Sequence, residues 1–428
     1  MGARAKRGGV IDPAQGALYH WRNRVKGLPP MSLANGRHYL AIPGPSVMPD
    51  RVLQAMHRPA PNIYTGELVD LTHSLVPDLK AIARTRHHVA MYIANGHGAW
   101  EAALANTLSR GDHILILATG RFCIGWGEMA RAMGVSCDVI DFGQRADIDM
   151  ARVAEALAAD TAHRIKAVLA VQVDTSTSVR NDIPALRATL DAAGHPALLF
   201  SDNIACLACD AFHMDDWGVD VMVTGSQKGL MTPPGMAFVF FNDKADRARE
   251  TADLATSYWD WRPRMAPDEY YKFFNGTAPT HHLYGLREAL DMIAEEGLDT
   301  VWHRHATLAR AVWAALETWG QAGPVRPNIA DPAKRSHAVT TANFGPGNGL
   351  RLRDWMTANA GVTLGIPLGG VEGADGRKED FLRIGHMGHV NAHMVLGVLA
   401  NLQAGMAALQ IPHGSGGLDA AVRVIAEG

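Results

Sequence analysis

Two residues of complementary chemistry lie near the middle of this 428-residue chain. Asp202 ends the apolar run ALLFSD, and Lys228 lies in the loop-like sequence TGSQKGL. A carboxylate that follows a buried strand costs free energy unless a cation pairs with it. A pyridinium nitrogen is such a cation, and a loop lysine can form a Schiff base with an aldehyde on the same ring. The pair therefore predicts a site for pyridoxal 5′-phosphate.

Each of these residues has a simpler interpretation when it is considered alone. Asp202 could be a capping aspartate, and Lys228 could be a solvated loop lysine. The glycine turn NGHG at 95–98 adds weight to the cofactor interpretation, because it follows an apolar run and opens a helix-like segment. Free amide groups at the positive end of a helix favour a phosphate, although a plain strand-to-helix turn has the same sequence.

Two further segments follow predicted strands. Phe122 comes after the next strand, where its ring could stack on the cofactor or simply belong to the core. The turn DTST at 174–177 contains Thr175, whose hydroxyl could meet the phenolic oxygen of the ring, although such turns are common. Because open α/β sheets bind ligands at the carboxyl ends of their strands, we expect all these segments to meet.

The elements that position these residues follow an alternating pattern. Apolar runs of strand length alternate with helix-like segments, which predicts a mostly parallel sheet with helices on both faces. The predicted strands are 88–94, 113–118, 167–173, 197–202, 219–224 and 236–241. Helices are predicted near Gly98, Phe122, Ile183 and Pro279, and the last forms a long helical stretch over 279–320.

The length of the chain predicts more than one domain. We expect an N-terminal arm at 1–45, a large cofactor-binding domain at 46–300 and a small α+β domain at 301–428. Residues 1–40 contain seven Lys or Arg and one acid, Asp12, which resembles an organellar transit peptide in charge but not in serine content. A surface arm is the preferred interpretation.

Composition excludes several classes of function. With 40 basic and 43 acidic residues, the net charge of −3 predicts neither nucleic-acid nor anionic-membrane binding. Four cysteines form no disulfide framework, and no apolar run approaches the roughly 18 to 20 residues of a membrane span, so a cytoplasmic protein is expected. Cys206 and Cys209 have C-x-x-C spacing, but no second pair accompanies them, which favours small core side chains over a metal site.

Three motifs together resemble a known family. The sequence IPGPS occurs at 42–46, GSQKGL with PPG at 225–235, and LRIGHMG at 382–388. In order and spacing they are similar to the alanine–glyoxylate and serine–glyoxylate branch of the class V aminotransferases. The resemblance covers nearly everything after residue 40. It implies pyridoxal-phosphate fold type I, with a mostly parallel seven-stranded sheet in the large domain and a smaller C-terminal α+β domain.

The resemblance also implies roles for individual residues. Lys228 would carry the cofactor and move the substrate proton, and Asp202 would pair with the pyridine nitrogen. The other implied cofactor-binding residues are Asn95, Gly96, His97, Phe122, Thr175, Gln227 and Thr277. Arg383 and Gly44 would bind substrate, since the planar fork of an arginine suits a carboxylate. No metal is implied.

Thr277 would reach the phosphate of a neighbouring subunit, which implies a homodimer with shared active sites. The sequence NGT at 275–277 also matches a glycosylation sequon, which we discount for a cytoplasmic enzyme. The sequence departs from the family pattern at two positions, so the resemblance specifies the phosphate contacts less closely than it specifies the role of Lys228. Asn95 stands where a serine is common, and Phe274 stands where the alanine–glyoxylate branch has a tyrosine.

The implied reaction moves an amino group from an L-amino acid, aspartate, serine or alanine, to glyoxylate, giving glycine and a 2-oxo acid. An aspartate donor needs a second cation, for which Arg121, Arg37 and His386 are candidates. Alternatives are a pyridoxamine–pyruvate transaminase, a lyase or desulfurase of the same fold, and a cofactor-sensing protein. The last two are disfavoured, because all four cysteines lie before residue 210 and no basic helix-turn-helix segment is evident.

Overall fold

The computed structural model describes residues 32–368 and 376–428, so the predicted arm lies outside the described residues as far as residue 31. Seven strands form one sheet in the spatial order β2-β8-β7-β6-β5-β3-β4. Their bounds are β2 His88–Ala94, β3 His113–Ala118, β4 Ser136–Asp141, β5 Ile165–Val171, β6 Leu198–Asp202, β7 Val221–Gly225 and β8 Gly235–Phe241. Only β8 runs antiparallel to its neighbours, which confirms the predicted mostly parallel sheet.

Helices occupy four of the six connections between these strands, and the connections β6–β7 and β7–β8 contain none. Before and within the sheet they are α1 Asp50–Met56, α2 Glu67–Ile82, α3 Gly96–Thr107, α4 Arg121–Ala132, α5 Met150–Ala159, α6 Ile183–Ala192, α7 Asp243–Ala248 and α8 Arg262–Met265. Side chains alternate between the two faces of the sheet, so that Phe240 packs in one apolar core and Phe241 in the other. Each face is therefore buried, as the continuous apolar strand sequences predict.

The predicted strand bounds agree closely with the structure. Strands β2 and β3 match their predicted bounds, and four others lie within two residues of them. Strand β4 was missed, because all six of its residues are exposed or half-buried at the edge of the sheet and its sequence SCDVID contains no apolar run.

The long helical stretch predicted at 279–320 is wrong as a single element. Two helices occupy it, α9 Thr280–Glu296 and α10 Leu298–Trp319. Gly297 separates them with a φ of +82°, a conformation that glycine adopts readily and that a continuous helix does not permit.

The C-terminal part of the chain adds a three-stranded antiparallel sheet in the order β12-β10-β9. Its elements are β9 Arg326–Pro327, β10 Val339–Asn343, α11 Asn348–Ala360, β11 Val362–Leu364, β12 Phe381–Gly385, α12 Ala392–Ala408 and α13 Gly417–Glu427. Strand β1, Tyr39–Ala41, pairs in parallel with β11, so the chain just before the 42–46 motif is attached to this part. In the described part of the chain, no helix has both the length and the apolarity of a membrane-spanning segment.

A buried carboxylate joins the C-terminal part to the loop after β6. The side chain of Asp210 is fully buried and accepts hydrogen bonds from Ser336 Oγ at 3.2 Å and from the His337 amide at 3.1 Å. Burial by itself raises the pKa of Asp210, but His337 and the nearby Arg180 outweigh burial and hold this pKa below its ordinary value. Asp210 therefore fixes the start of β10, whose neighbour in the sheet, β12, contains Arg383.

Replacing Asp210 with Asn should lower the free energy of unfolding by about 1–3 kcal/mol, because buried donors lose their charged acceptor. Since the folded pKa of Asp210 is depressed, its contribution is present at neutral pH and is lost as the pH falls below the unfolded value of about 3.9. Urea unfolding at several pH values measures both effects.

The matched control is Asp299→Asn, which removes an exposed ion pair with Arg84 and should leave stability essentially unchanged. An Asp210→Asn protein as stable as wild type at neutral pH would contradict the role of this carboxylate.

Candidate active site

A cavity of about 250 Å³ lies at the carboxyl ends of the central strands. Eight residues singled out in the sequence line it, namely Asn95, Gly96, His97, Phe122, Thr175, Asp202, Gln227 and Lys228. They come from the ends of β2, β3, β5, β6 and β7, which are distant in sequence but meet at one edge of the sheet. The structure thus brings together the residues that the strand-end argument expected to meet.

Lys228 is held by the 42–46 motif. Its Nζ donates a hydrogen bond to the carbonyl of Pro43, and a Cβ on Gly44 would lie 2.5 Å from the same Nζ. Burial lowers the pKa of Lys228 to about 8, with the charge of Arg383 acting in the same direction and that of Asp202 opposing it. Part of the amine population is therefore neutral near physiological pH, as a nucleophile or base requires.

Asp202 is buried at the floor of the cavity. Its Oδ1 accepts the Ile204 amide at 2.7 Å, and its Oδ2 accepts the indole N–H of Trp100 at 2.8 Å. Burial raises the pKa of Asp202 to about 7, although both hydrogen bonds and the charge of Lys228 oppose the rise. A cation placed beside this carboxylate would favour its ionised form.

The glycine turn begins α3 beside these groups. The Asn95 side chain caps the helix by accepting the amides of His97 at 3.1 Å and Gly98 at 3.3 Å. The amide groups expected to be free for an anion are therefore bonded to Asn95 in this structure. Burial, together with the charge of Arg121, lowers the pKa of His97, so its ring favours the neutral form.

Phe122 forms another wall, and the turn after β5 fixes it. Its amide donates to Asp174 Oδ2 at 2.8 Å, and the Arg121 amide donates to Ser176 Oγ at 3.1 Å. These bonds satisfy the first amides of α4, which lacks a capping side chain of its own. Thr175 lies in the same turn and is buried.

Arg383 reaches this turn from the C-terminal sheet. Its Nε donates to the Ile366 carbonyl at 2.7 Å, and its Nη1 donates to the Thr175 carbonyl at 2.9 Å. Burial lowers the pKa of Arg383 to about 10, while Asp174 raises it. The guanidinium remains charged at neutral pH and is held beside the cavity by carbonyl groups on both sides.

The three residues predicted to bind the side-chain carboxylate of an aspartate donor have different surroundings in the structure. Arg37 forms an exposed ion pair with Asp50, and His386 is buried, bonded to Thr340 Oγ1, with a pKa lowered to about 4 by burial. Neither supplies a free charge near the cavity. Arg121 lines a second cavity, of about 770 Å³, which shares His97, Trp100 and Phe122 with the first.

The remaining candidates lie outside the first cavity. Thr277 is exposed and does not line it, so its predicted contact with a neighbouring subunit stays a prediction. Cys206 and Cys209 are buried free thiols that pack with Val339 and Met387. Burial raises the pKa of both thiols far above neutrality, which suits core side chains better than reactive ones.

The residues present fit pyridoxal phosphate. Lys228 provides a partly neutral amine, and Asp202 provides a buried carboxylate that no cation of residues 32–368 and 376–428 contacts directly. The Oε1 atom of Gln227 is buried and has no hydrogen-bond partner among the described residues, so it can accept a hydrogen bond from a donor group of a ligand. These three features match an aldehyde, a ring nitrogen and the polar groups of the cofactor.

Sequence reasoning missed Trp100, Asp174 and Pro43 as parts of the site. Trp100 lies three residues after His97 on one helix, a spacing that places both side chains on the same face. That spacing was the only available signal. The bond from Trp100 to Asp202 joins residues 102 positions apart, and no local pattern reveals it.

Comparisons with known proteins agree with this geometry. Residues 38–364 match the model of the family described as aminotransferase class-V. The chain is 37% identical over 377 residues to a serine–glyoxylate aminotransferase of Arabidopsis thaliana, covering 86% of this chain and 90% of the relative. It is 35% identical over 376 residues to an L-aspartate–glyoxylate aminotransferase of Paracoccus denitrificans, covering 87% and 91%.

Among solved structures, the pyridoxamine–pyruvate aminotransferase of Mesorhizobium loti matches with a TM-score of 0.81 and 26% identity, covering 91% of this chain and 97% of that one. The ureidoglycine–glyoxylate aminotransferase of Bacillus subtilis matches with a TM-score of 0.80 at 23% identity, covering 93% and 99%, a likeness of fold alone. The predicted fold type I is thereby confirmed.

Gly44→Ala should weaken binding of pyridoxal phosphate at least tenfold, because the added methyl group would displace the side chain of Lys228. Absorbance titration of the purified protein measures this binding. Gly66→Ala is the matched control, since Gly66 has a φ of +89°, close to the +87° of Gly44, yet no atom of the residues that the structure describes lies within 4 Å of its Cβ position. Equal binding by both variants would show that the contact with Lys228 is unimportant.

Proposed function

The chain belongs to the class-V aminotransferase family, and we propose that it transfers the amino group of an L-amino acid to glyoxylate, using pyridoxal 5′-phosphate. The observation that carries this proposal is the meeting of Lys228 and Asp202 in one cavity, with both pKa values shifted towards neutrality by burial. Relatives that act on serine or aspartate with glyoxylate support the substrates proposed.

When bound, the cofactor supplies an aldehyde that captures amino groups and a ring that accepts the electron pair left on the substrate Cα. Lys228 would hold the aldehyde of the cofactor. Once released, its Nζ would take the proton from the substrate Cα and then give it to the cofactor carbon that had carried the aldehyde. Asp202 would hold a proton on the ring nitrogen, and Phe122 would pack against the ring. Gln227 and the start of α3 would face the phosphate.

Arg383 would grip the α-carboxylate of the donor. Two of its N–H groups are bonded to carbonyls, which fixes the plane of the guanidinium, and its other N–H groups have no partner within the described part of the chain. A carboxylate held this way sets the orientation of the Cα–H bond relative to Lys228, and orientation is a main source of rate enhancement. Gly44, which lies against Lys228, keeps the space for the substrate open.

We also propose a homodimer in which Thr277 reaches the site of the partner subunit. Two exposed apolar side chains lie close in sequence to residues of the cavity: Ile93 is two residues before Asn95, and Ile124, which lines the second cavity, is two residues after Phe122. Apolar surface of this kind, next to a site, commonly marks an interface. The four free cysteines are in keeping with a reducing, cytoplasmic setting.

The visible absorbance of the purified protein tests the proposal. Aspartate, serine, alanine and glycine are added in turn, followed by glyoxylate, and light scattering of the same preparation gives the mass. One donor should remove the cofactor band and glyoxylate should restore it, whereas Lys228→Ala should show no such cycle. A dimeric protein that arrives colourless and binds pyridoxamine would instead favour the pyridoxamine–pyruvate reaction, and cycling by Lys228→Ala would reject the assignment.

Arg121 is the cation that we propose for the distal carboxylate of an aspartate donor. Within residues 32–368 and 376–428, no side-chain hydrogen bond or ion pair of Arg121 is seen, and its charge acts on His97 at the cavity wall. Arg121→Gln should reduce kcat/KM for aspartate at least tenfold and leave alanine and serine unchanged. Arg37→Gln is the control, and an equal loss for all three donors would point to a structural role.

A further inference from the structure

Trp100 contacts three of the residues proposed to bind the cofactor. Its Nε1 donates to Asp202 Oδ2 at 2.8 Å, its ring centroid lies 4.6 Å from that of His97, and it lies 6.3 Å from that of Phe122. The indole is almost fully buried, and it lines both cavities. One side chain therefore joins the groups proposed for the phosphate, the ring face and the ring nitrogen.

The hydrogen bond to Asp202 is the most consequential of these contacts. In the described part of the chain, two donors reach this carboxylate, the Ile204 amide and the Trp100 indole. The Ile204 bond belongs to the local turn, since it joins residues two apart, and almost any side chain at 204 would supply it. The Trp100 bond is the specific one, because it requires an indole at that point of α3.

A buried carboxylate with few donors tends to take up a proton. Asp202 already lies near that limit, because burial raises its pKa to about 7 and the charge of Asp174 adds to the effect. A protonated Asp202 could not favour a positive charge on a pyridine nitrogen. The protonation of this carboxyl group is thus balanced closely enough for a single hydrogen bond to decide it.

We propose that Trp100 is a positioning residue that holds Asp202 ionised and in a fixed orientation at the floor of the cavity. The indole N–H stabilises the charged form of the carboxylate, and the ring prevents its rotation by packing between His97 and Phe122. The carboxylate keeps further lone pairs available for the cofactor. This inference rests on the proposed function only for the identity of the ligand group that would bind beside Asp202.

The direct test removes the indole N–H and preserves the shape of the ring. Benzothienylalanine at position 100 replaces the N–H with sulfur, and Trp100→Phe is a simpler second variant. Infrared spectra of the full-length protein, dialysed free of cofactor, follow the protonated carboxyl band against pH, and Asp202→Asn identifies the band. The pKa of Asp202 should rise by about one to two units in both variants.

Binding of pyridoxal phosphate at neutral pH should weaken about tenfold in the same variants, because a larger share of Asp202 is then protonated. Raising the pH should restore most of this loss, since the carboxyl group ionises again. A variant that had merely lost core packing would bind more weakly at every pH. The pH dependence therefore separates positioning from general damage.

Trp126→Phe is the matched control. Trp126 is buried in the same aromatic cluster and stacks on Trp100 at 5.8 Å, but its Nε1 donates to the Trp100 carbonyl at 3.4 Å and not to Asp202. It should leave the Asp202 titration unchanged, although the core loses the same volume. Shifts of equal size in Trp100→Phe and Trp126→Phe would overturn the proposal.

An unchanged Asp202 titration in the benzothienylalanine protein would also overturn it. That readout requires neither cofactor nor substrate, so it decides the role of Trp100 even if no transamination is found. Conversely, if the titration shifts but the protein never binds pyridoxal phosphate, the effect of Trp100 on Asp202 is supported and the proposed function is rejected.

Discussion

A carboxylate and an amine share one buried cavity, and most other features of the site follow from the cost of keeping them there. Burial moves the pKa of Asp202 up to about 7 and that of Lys228 down to about 8, so each is driven towards its neutral form. When the pKa of a group lies this close to neutral pH, a single contact can change its protonation state. The indole of Trp100 and the carbonyl of Pro43 are such contacts.

The cavity also depends on segments that approach it very closely. The 42–46 motif passes so near Lys228 that a Cβ at Gly44 would displace the end of the lysine side chain, and Gly96 lies against the side chain of Ile204 in a similar way. The strand β1 that precedes the motif is paired with β11 in the C-terminal part of the chain. The segment that contacts the end of the lysine side chain is therefore attached by pairing that occurs outside the main sheet.

The position of Arg383, the residue proposed to bind the substrate carboxylate, also depends on contacts between distant parts of the chain. Arg383 lies on β12, yet its guanidinium is fixed by the carbonyl of Thr175 at the end of the main sheet. The buried carboxylate of Asp210 attaches the neighbouring strand β10 to the loop after Asp202. The distance between the proposed carboxylate clamp and the proposed cofactor site thus depends on a few polar bonds between the two parts of the structure.

The sequence by itself determined the central strands, the fold class and the strand-end residues Asp202, Lys228, His97 and Phe122. Apolar runs and turn residues are local signals, and an alternating pattern of strand and helix leaves few topologies. The edge strand β4 and the helix break at Gly297 were not predicted. An exposed strand lacks an apolar run, and helical periodicity continues across a single glycine.

Only the tertiary structure decided what each of these residues contacts. The capping of His97 and Gly98 by Asn95, the bond between Trp100 and Asp202, and the neutral, fully bonded state of His386 could not be predicted. The reason is physical. A propensity is a property of a short segment, whereas burial and hydrogen-bond partners depend on residues that only the packing of the whole chain brings together.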